Sequence, residues 1–348
     1  METKKLRTCA KLITVLLGVA CGGLAQASSV TLYGIIDTGF NYQKRSGETS
    51  FGVDSGLMSN SRWGLRGSED LGNGTKAFFV LESGFSSDNG QRASQTSFFN
   101  RFSLLGFENK KYGKVTLGRG DVLTPTWIAG TVSPFSLNFK TASLGTTFGY
   151  NDAHMAGGRV SDALYYYSPE VEGWQLGAGY SWNMFGLENQ FKDQSRMVDL
   201  ALKYEKGPFR GVLGYQIIDS PLSSKKDRTF IVGGRYNFEL FNLHAGYQKV
   251  EHLSIINGYN GAVATKRQFT GDTAWTAGVS VPFGASLLYA GYQHAFDSKA
   301  RGAAVAYSYQ FSKRTNFYAY YSRAQSWNFD EDKRLPVTQI AMGIRHRF

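Results

Sequence analysis

The chain ends with the stretch IAMGIRHRF, residues 340–348, in which alternate side chains have opposite character. One set is apolar or aromatic apart from a histidine: Ile340, Met342, Ile344, His346 and Phe348. The other set is small or cationic: Ala341, Gly343, Arg345 and Arg347. Because successive side chains of a strand point to opposite faces, the pattern predicts a β-strand with one apolar face and one face in water. The C-terminus is therefore predicted to be a structural strand and not a disordered tail.

The same alternation recurs along the chain, for example in residues 62–67, 198–205, 230–237 and 274–281. Short turn-like joints are predicted at 69–74, 109–113, 169–173, 206–208, 239–241, 282–284 and 312–314. Longer polar connections are predicted between them, at 86–97, 183–195, 250–272 and 324–336. Counting the segments between joints gives roughly sixteen strands in an up-and-down meander, an even number such as bacterial outer-membrane barrels have.

Composition agrees with an all-β chain. The 348 residues include 41 glycines and only 7 prolines, aromatic residues make up 15%, and the mean hydropathy is -0.28. Beyond the N-terminus no run reaches the roughly 18 apolar residues of a spanning helix, so a membrane protein of this kind must cross as a closed sheet. A soluble β-sandwich remains the alternative. Charged or glycine-rich second faces, aromatic residues near strand ends and the lack of a domain boundary favour the barrel.

The N-terminus predicts a secretory signal peptide over residues 1–27, so that residues 28–348 form the barrel domain. A cationic start precedes an apolar run at 12–24, and Ala25 to Ala27 supplies the small residues of a cleavage site. The short apolar run disfavours a retained anchor helix, and Gly18 disfavours lipid attachment at Cys21. Both cysteines lie in this segment, so the mature chain forms no disulfide or thiolate metal site. Its formal charge is +8, against +11 for the full chain.

One connection is much longer than the others, running from Asp121 to Gly158. Its phenylalanines and Trp127 indicate that it packs against something, and a connection of this length is commonly functional. Asp121 and Asp152 are its acidic residues. Loop acids of this kind are more often solvated or bound to backbone amides; on a loop folded inward, as the resemblance given below implies, they would set a transverse field across the opening.

Several stretches together resemble the general diffusion porins of Gram-negative β-proteobacteria. They are SSVTLYGIIDTG, SRWGLRGSEDLGNGTKAFFVLESGF, GKVTLGR, ALYYYSPEVEGWQLGAGYS, FSKRTNFYAYYS and the terminal GIRHRF. The resemblance implies a 16-stranded transmembrane barrel in the outer membrane, assembled as a homotrimer, with the third external loop (121–158) folded into the lumen. It also implies that Phe348 is the aromatic end recognised by the outer-membrane assembly machinery. The sequence departs from the commoner pattern at Val80, where a polar residue is usual.

By position, the resemblance places Arg62, Arg101 and Arg159 on the wall that faces this loop. Strand parity supports this independently: Arg62 and Arg66 alternate with Trp63 and Leu65, Arg101 is opposed to Phe102 and Leu104, and Arg159 shares its parity with Tyr165 and Tyr167. Each arginine alone could be an ordinary lumen charge paired with Glu82 or Asp37. As a set they predict a constriction that offsets the lost hydration of anions, because a guanidinium stays charged at any working pH.

The predicted function is passive diffusion of small hydrophilic solutes and ions, with a preference for anions. A channel specific for small organic anions and an outer-membrane adhesin are the alternatives. An enzyme is disfavoured because the five histidines are scattered and no serine lies in a nucleophile-elbow context, and no metal or cofactor site is predicted. Nucleic-acid binding is disfavoured because the basic residues are spread over many strands. The expected partners are outer-membrane lipid and small solutes, anions among them.

Overall fold

The computed structural model describes residues 29–45, 47–142, 158–186, 195–219, 225–252, 271–328 and 333–348. The predicted signal segment, 1–27, and Asp152 lie outside the described residues. The described strands form one antiparallel sheet of 17 segments. They are β1 Ser29–Arg45, β2 Glu48–Ser55, β3 Arg62–Gly72, β4 Thr75–Gly84, β5 Phe102–Asn109, β6 Gly113–Asp121, β7 Arg159–Tyr167, β8 Trp174–Ser181, β9 Arg196–Lys206, β10 Phe209–Asp219, β11 Asp227–Asn237, β12 Asn242–Glu251, β13 Gly271–Phe283, β14 Ser286–Ala295, β15 Arg301–Gln310, β16 Thr315–Asn328 and β17 Lys333–Arg347.

The sheet closes on itself, because β17 pairs with β1 from Ile35 opposite Arg347 to Arg45 opposite Val337. On its other edge, β1 pairs with β3 through its first half and with β2 through its second. β2 and β3 therefore share one position in the wall, separated by the bend at residues 56–61. Seventeen segments thus make a wall of 16 strands. The predicted closed 16-stranded antiparallel barrel is confirmed.

The two ends of the barrel differ in their connections. All seven predicted short joints connect consecutive strands at the end that also holds Phe348. At the opposite end, called here the long-loop end, the predicted connection at 324–336 is wrong in its extent. β16 continues to Asn328 and β17 begins at Lys333, with Ala324 opposite Val337. The polar residues at this end of β16 and β17 were predicted to be a loop because they lie beyond the apolar band. Their backbone groups nevertheless form strand pairs.

The outside of the wall is apolar and the inside is polar or small. On β1, Leu32 and Phe40 are 58% and 55% exposed, whereas Asp37 between them is fully buried. On β17, Ile340, Met342 and Ile344 lie exposed on the outside, while Ala341 and Arg345 point inward and are buried. This distribution inverts that of a soluble sandwich and is typical of a lipid-facing wall. The two faces predicted for the terminal strand are confirmed.

The connection between β6 and β7 contains helix α1, Leu123–Val132, and a short 3-10 turn, Lys140–Ala142. Helix α1 packs on β8 to β12, and the turn packs on β15 and β16. The buried apolar clusters form where this connection meets the inner wall, for example Ile128 and Val132 with Val212 and Ile231. In the part of the chain that the structure describes, no helix is long and apolar enough to cross a membrane.

Candidate functional site

Two of the predicted arginines share one wall carboxylate. Glu82 on β4 is 3% exposed; its Oε1 accepts the Nε–H of Arg101 at 2.5 Å, and its Oε2 lies 3.6 Å from Nε of Arg62. Tyr33 on β1 also donates its hydroxyl proton to Glu82 Oε2 at 2.9 Å. Burial lowers the pKa of Arg101 to about 10, with the nearby Arg159 and Arg62 acting in the same direction. Arg101 still carries its charge at neutral pH.

The third arginine, Arg159, lies at the long-loop end of β7. Its Nε forms an ion pair at 2.9 Å with Oδ1 of Asp121, its partner in the β6–β7 register. Its guanidinium carbon lies 5.5 Å from the ring centre of Phe102. Because Phe102 directly follows Arg101, and Arg101 shares Glu82 with Arg62, the three cations are neighbours. Three guanidinium groups therefore face two carboxylates, which leaves one positive charge in excess.

The parity argument for Arg101 is wrong, although the side chain does join this group. Phe102 pairs with the inward Glu82, and Leu104 pairs with Val80, so both face the interior. The outward side of β5 carries Leu105 and Phe107, which are 51% and 46% exposed. Arg101 precedes the first residue of β5, where strand parity no longer applies. It reaches Glu82 because its own backbone N–H donates to the carbonyl of Glu82 at 3.1 Å.

Arg66 lies apart from this group. It faces the interior on β3 and lies closer than Arg62 to the short turns. Its side chain is exposed, and its guanidinium carbon lies 5.2 Å from the ring centre of Tyr33. Tyr33 links it to Glu82 only indirectly. Val80, where the resemblance implies a polar residue, pairs with Arg66 and Leu104. Position 80, between Arg66 and Leu104, therefore carries no second carboxylate to balance the arginines.

Helix α1 is attached to the wall by a residue that the sequence did not single out. Asp199 on β9 is fully buried, and its Oδ2 accepts the backbone N–H of Thr124 at 3.1 Å. The Thr124 hydroxyl donates to the other carboxylate oxygen. The first-turn N–H groups of a helix lack intrahelical acceptors and carry partial positive charge, so a carboxylate stabilises this end. The sequence feature that could have identified Asp199 is a single acidic residue among the strand positions that face the interior.

Small residues form a trough in the wall beneath α1 and the chain that follows it. These residues form three rows, in each of which the members pair directly across neighbouring strands. Each row lies two residues further along the strands than the one before it. The rows are Gly177, Ala201 and Gly214; Gly233 and Gly246; and Gly278, Gly291 and Ala304. A Cβ on any of the six glycines would lie closer than 3.0 Å to a side chain of the connection. The side chains concerned are Leu123, Thr124, Val132, Pro134 and Phe135. The connection can approach the wall only because these positions lack side chains.

The far end of the described connection is held by the bend between β2 and β3. The backbone N–H of Phe139 donates to the carbonyl of Met58 at 2.9 Å, and the Ser59 hydroxyl donates to Asn138 Oδ1 at 2.9 Å. The bend is itself fixed by Asp37, whose Oδ2 accepts the N–H groups of Met58 at 3.1 Å and Ser59 at 2.6 Å. The connection is thus attached at both ends of its described length.

Two further interior residues complete this attachment. The Tyr318 hydroxyl donates to Asp37 Oδ1, and Arg345 donates to Ser59 Oγ at 2.8 Å and to Asn316 Oδ1 at 2.9 Å. Asp37 was considered in the sequence only as a partner for the arginines of the constriction. Its actual contacts are backbone amides of a bend that periodicity cannot detect. Among the described residues, no group of three His, Cys, Asp or Glu side chains converges as a metal site would.

Phe348 lies at the seam of the barrel. Its N–H and C=O exchange hydrogen bonds with Gly34, each of 3.1 Å, and its ring packs against Gly34. A Cβ on Gly34 would collide with that ring. The terminal residue therefore extends the β1–β17 ladder by one further pair.

Comparison with known proteins identifies the family. Residues 13–327 match the sequence profile of a family described as Gram-negative porin. An outer membrane porin protein of Bordetella pertussis is 31% identical over 97% of this chain and 99% of its own. Outer membrane porin protein 32 of Delftia acidovorans is 31% identical over 88% of this chain and 87% of its own.

A solved structure shares both the fold and part of the sequence. The anion-selective porin from Comamonas acidovorans superposes with a TM-score of 0.74 at 25% identity, covering 92% of this chain and 100% of that one. Together with the closed 16-stranded wall and its apolar outer face, these matches confirm the predicted resemblance. The chain belongs to the Gram-negative porin family, whose members form channels, and is a multi-pass β-barrel of the outer membrane.

Proposed function

We propose that the channel favours anions because Arg62, Arg101 and Arg159 outnumber the acids beside them. The observation that carries this proposal is the sharing of Glu82 by two guanidinium groups, with Asp121 paired to the third. A narrow passage rejects ions through loss of hydration, and an unbalanced fixed cation offsets that loss for anions only. The name of the structurally similar anion-selective porin supports the same direction.

The opposite wall of the narrow passage is proposed to be the connection from 121 to 158. Its described part lies along the inner surface from β8 to the bend between β2 and β3, which supports a role in narrowing the lumen. Asp121 would act from its ion pair with Arg159, and Asp152 from outside the described residues. Arg66, below the cluster, would contribute a further cation to the passage.

Several remaining proposals rest on the family. Residues 1–27 would be removed on export, three copies would form the assembled channel, and Phe348 would serve recognition by the assembly machinery. The role is passage of small hydrophilic solutes and not catalysis. A specific organic-anion channel would instead show saturable block of the current by its solute.

The test is the reversal potential of single channels in a planar bilayer under a salt gradient. The wild type should favour chloride over potassium, and Arg62→Ala should reduce that preference. Arg228→Ala is the matched control, since Arg228 faces outward, away from the lumen, and pairs with Glu251 at 4.0 Å. A cation preference in the wild type, or equal effects of the two substitutions, would contradict the proposal.

A further inference from the structure

Two aromatic rings and two lysines alternate along the inner wall, on the side of α1 that faces the short turns. The ammonium nitrogen of Lys114 on β6 lies 4.1 Å from the ring centre of Tyr167, its direct partner on β7. The ring centre of Tyr167 lies 6.1 Å from that of Trp127 in α1, with the two planes inclined by 53°. The ammonium nitrogen of Lys203 on β9 lies 5.3 Å from the ring centre of Trp127. These four residues are called here the ring-lysine cluster.

The ring-lysine cluster faces the lumen. Tyr167 pairs with Gly177, which lies in the trough under α1. Lys203 lies two residues from Ala201 of the same trough, in the direction of the short turns, so both side chains point to the interior. All four members of the cluster are half-buried, so each leaves part of its surface open to the lumen. None of them belongs to the arginine group of the proposed constriction.

The two lysines of the cluster are cations without an ion-pair partner among the described residues. Glu205 lies two residues from Lys203 on the same face, but its oxygens are taken by Arg210 at 2.9 Å and Arg235 at 3.7 Å. Glu108 is the register partner of the other lysine and forms no described ion pair with it. Both ammonium groups therefore remain available to an anion in the lumen.

The short turns around the cluster lie within the described residues. The acidic residues outside the described part that belong to connections at the long-loop end are Glu188, Asp193, Asp330, Glu331 and Asp332. Lys203 is about 24 Å along β9 from Arg196, where that strand begins at the long-loop end. Asp152 belongs to a stretch that rejoins the described chain at Gly158, whose carbonyl accepts the N–H of Val122 at the long-loop end of β6. The described residues therefore account for the acids at this end of the wall.

Each ammonium group of the cluster lies over a ring, so an anion that binds it also meets aromatic surface. An ammonium has three N–H groups, and the contact with a ring leaves some of them for a carboxylate. A small hydrated anion gains only the ion pair and loses water against the rings. An anion with an aromatic body also buries that body against Trp127 and Tyr167, and pairs of aromatic rings gain more than apolar burial alone.

We infer that the ring-lysine cluster binds carboxylates that carry an aromatic ring, on their way between the constriction and the short-turn end. Lys203 and Lys114 offer two neighbouring positions for the carboxylate, and the rings between them contact the aromatic body in either position. This site rests on the proposed passage of anions through the channel and adds the class of solute that this part of the lumen favours. Lysine stems that only pack against α1 are the alternative explanation of the cluster.

The test is block of the single-channel current in potassium chloride by benzoate. Benzoate should block the wild type in a saturable manner, and Lys114→Gln with Lys203→Gln should raise the half-blocking concentration at least about tenfold, the scale of one charge-assisted hydrogen bond. Lys111→Gln with Lys206→Gln is the matched control and should leave the block unchanged. Both control lysines are exposed at the short-turn end, Lys111 at 5.4 Å from the ring centre of Tyr112 and Lys206 in an ion pair with an exposed acid.

Two further comparisons separate the ring from the charge. Cyclohexanecarboxylate, which has the charge and nearly the size of benzoate but no aromatic ring, should block several-fold more weakly. Trp127→Leu should weaken the block by benzoate. Because the two lysines lie on the wall, their double variant decides the question even where Trp127→Leu moves α1. Heat-modifiable migration on gels establishes that each variant is a folded barrel.

Equal block of the wild type and the double lysine variant by benzoate, or equal block by the two acids, would overturn the inference. The result is separable from that of the proposed anion preference. A wild type that favours chloride but is not blocked by benzoate would refute the ring-lysine site alone. A wild type that favours potassium but is blocked by benzoate would refute the anion preference alone.

Discussion

The carboxylate of Asp199, on the inner side of β9, accepts the backbone N–H of Thr124 at 3.1 Å in the first turn of α1. No side chain of the helix itself caps this end. The wall thus supplies the cap that the local sequence lacks, and one buried acid couples the position of the loop to the barrel. This attachment, more than any contact made within the loop, decides where α1 begins.

Asp199→Ala should loosen the loop without opening the barrel. Loss of a helix cap costs about 1 kcal/mol, which is small beside the ladder hydrogen bonds of the wall but large for a ten-residue helix. We expect more open-channel current noise and unchanged heat-modifiable migration. Asp219→Ala is the control, because among the described residues its carboxylate forms an ion pair with the exposed Lys226, away from α1. Quiet currents from both variants would show that the cap does not hold the loop.

Gly246→Val should displace the loop by filling the trough. A Cβ at Gly246 would lie 2.6 Å from Cβ of Val132, within the last turn of α1. Overpacking of this kind costs about 1–3 kcal/mol and is relieved most easily by moving the helix. Single-channel conductance should therefore change. Gly52→Val is the matched control, since nothing lies within 4 Å of its Cβ position. A similar conductance in both variants and the wild type would contradict the packing argument.

The sequence predicted the wall far better than it predicted the attachment of the loop. A strand of alternating character, such as residues 340–348, fixes its own two faces, and a closed meander follows from the spacing of short turns. The trough and the residues Asp37 and Asp199 depend on which strand positions meet across the barrel. That information lies in register, which a single sequence does not carry. The Arg101 error has a different origin: β5 begins at Phe102, and alternation no longer predicts the direction of a side chain that precedes the strand.

Glu82→Gln should raise the anion preference, the opposite of Arg62→Ala. Glutamine keeps the size and one oxygen acceptor, which serves Arg101 or Tyr33 but not both, and it removes the charge that offsets two guanidinium groups. One unit charge at about 4 Å in water is worth about 1 kcal/mol, so the chloride-to-potassium permeability ratio should rise several-fold. Tyr33→Phe, which removes a hydrogen bond but no charge, is the control. An unchanged or lowered ratio in Glu82→Gln would mean that Glu82 is not exposed to the permeating ions.

Deleting Phe348 should lower the yield of folded barrel more than it changes the current of those barrels that form. The residue contributes one extra pair to the β1–β17 ladder through Gly34 and covers that glycine with its ring, whereas the pore-lining groups lie elsewhere. The substitution Phe348→Leu keeps both backbone bonds and removes only the aromatic ring. A low yield in vivo for Phe348→Leu, with normal refolding in detergent, would assign the ring to recognition during assembly. Low yields in both settings would assign it to closure of the seam, and normal yields in both would remove either role.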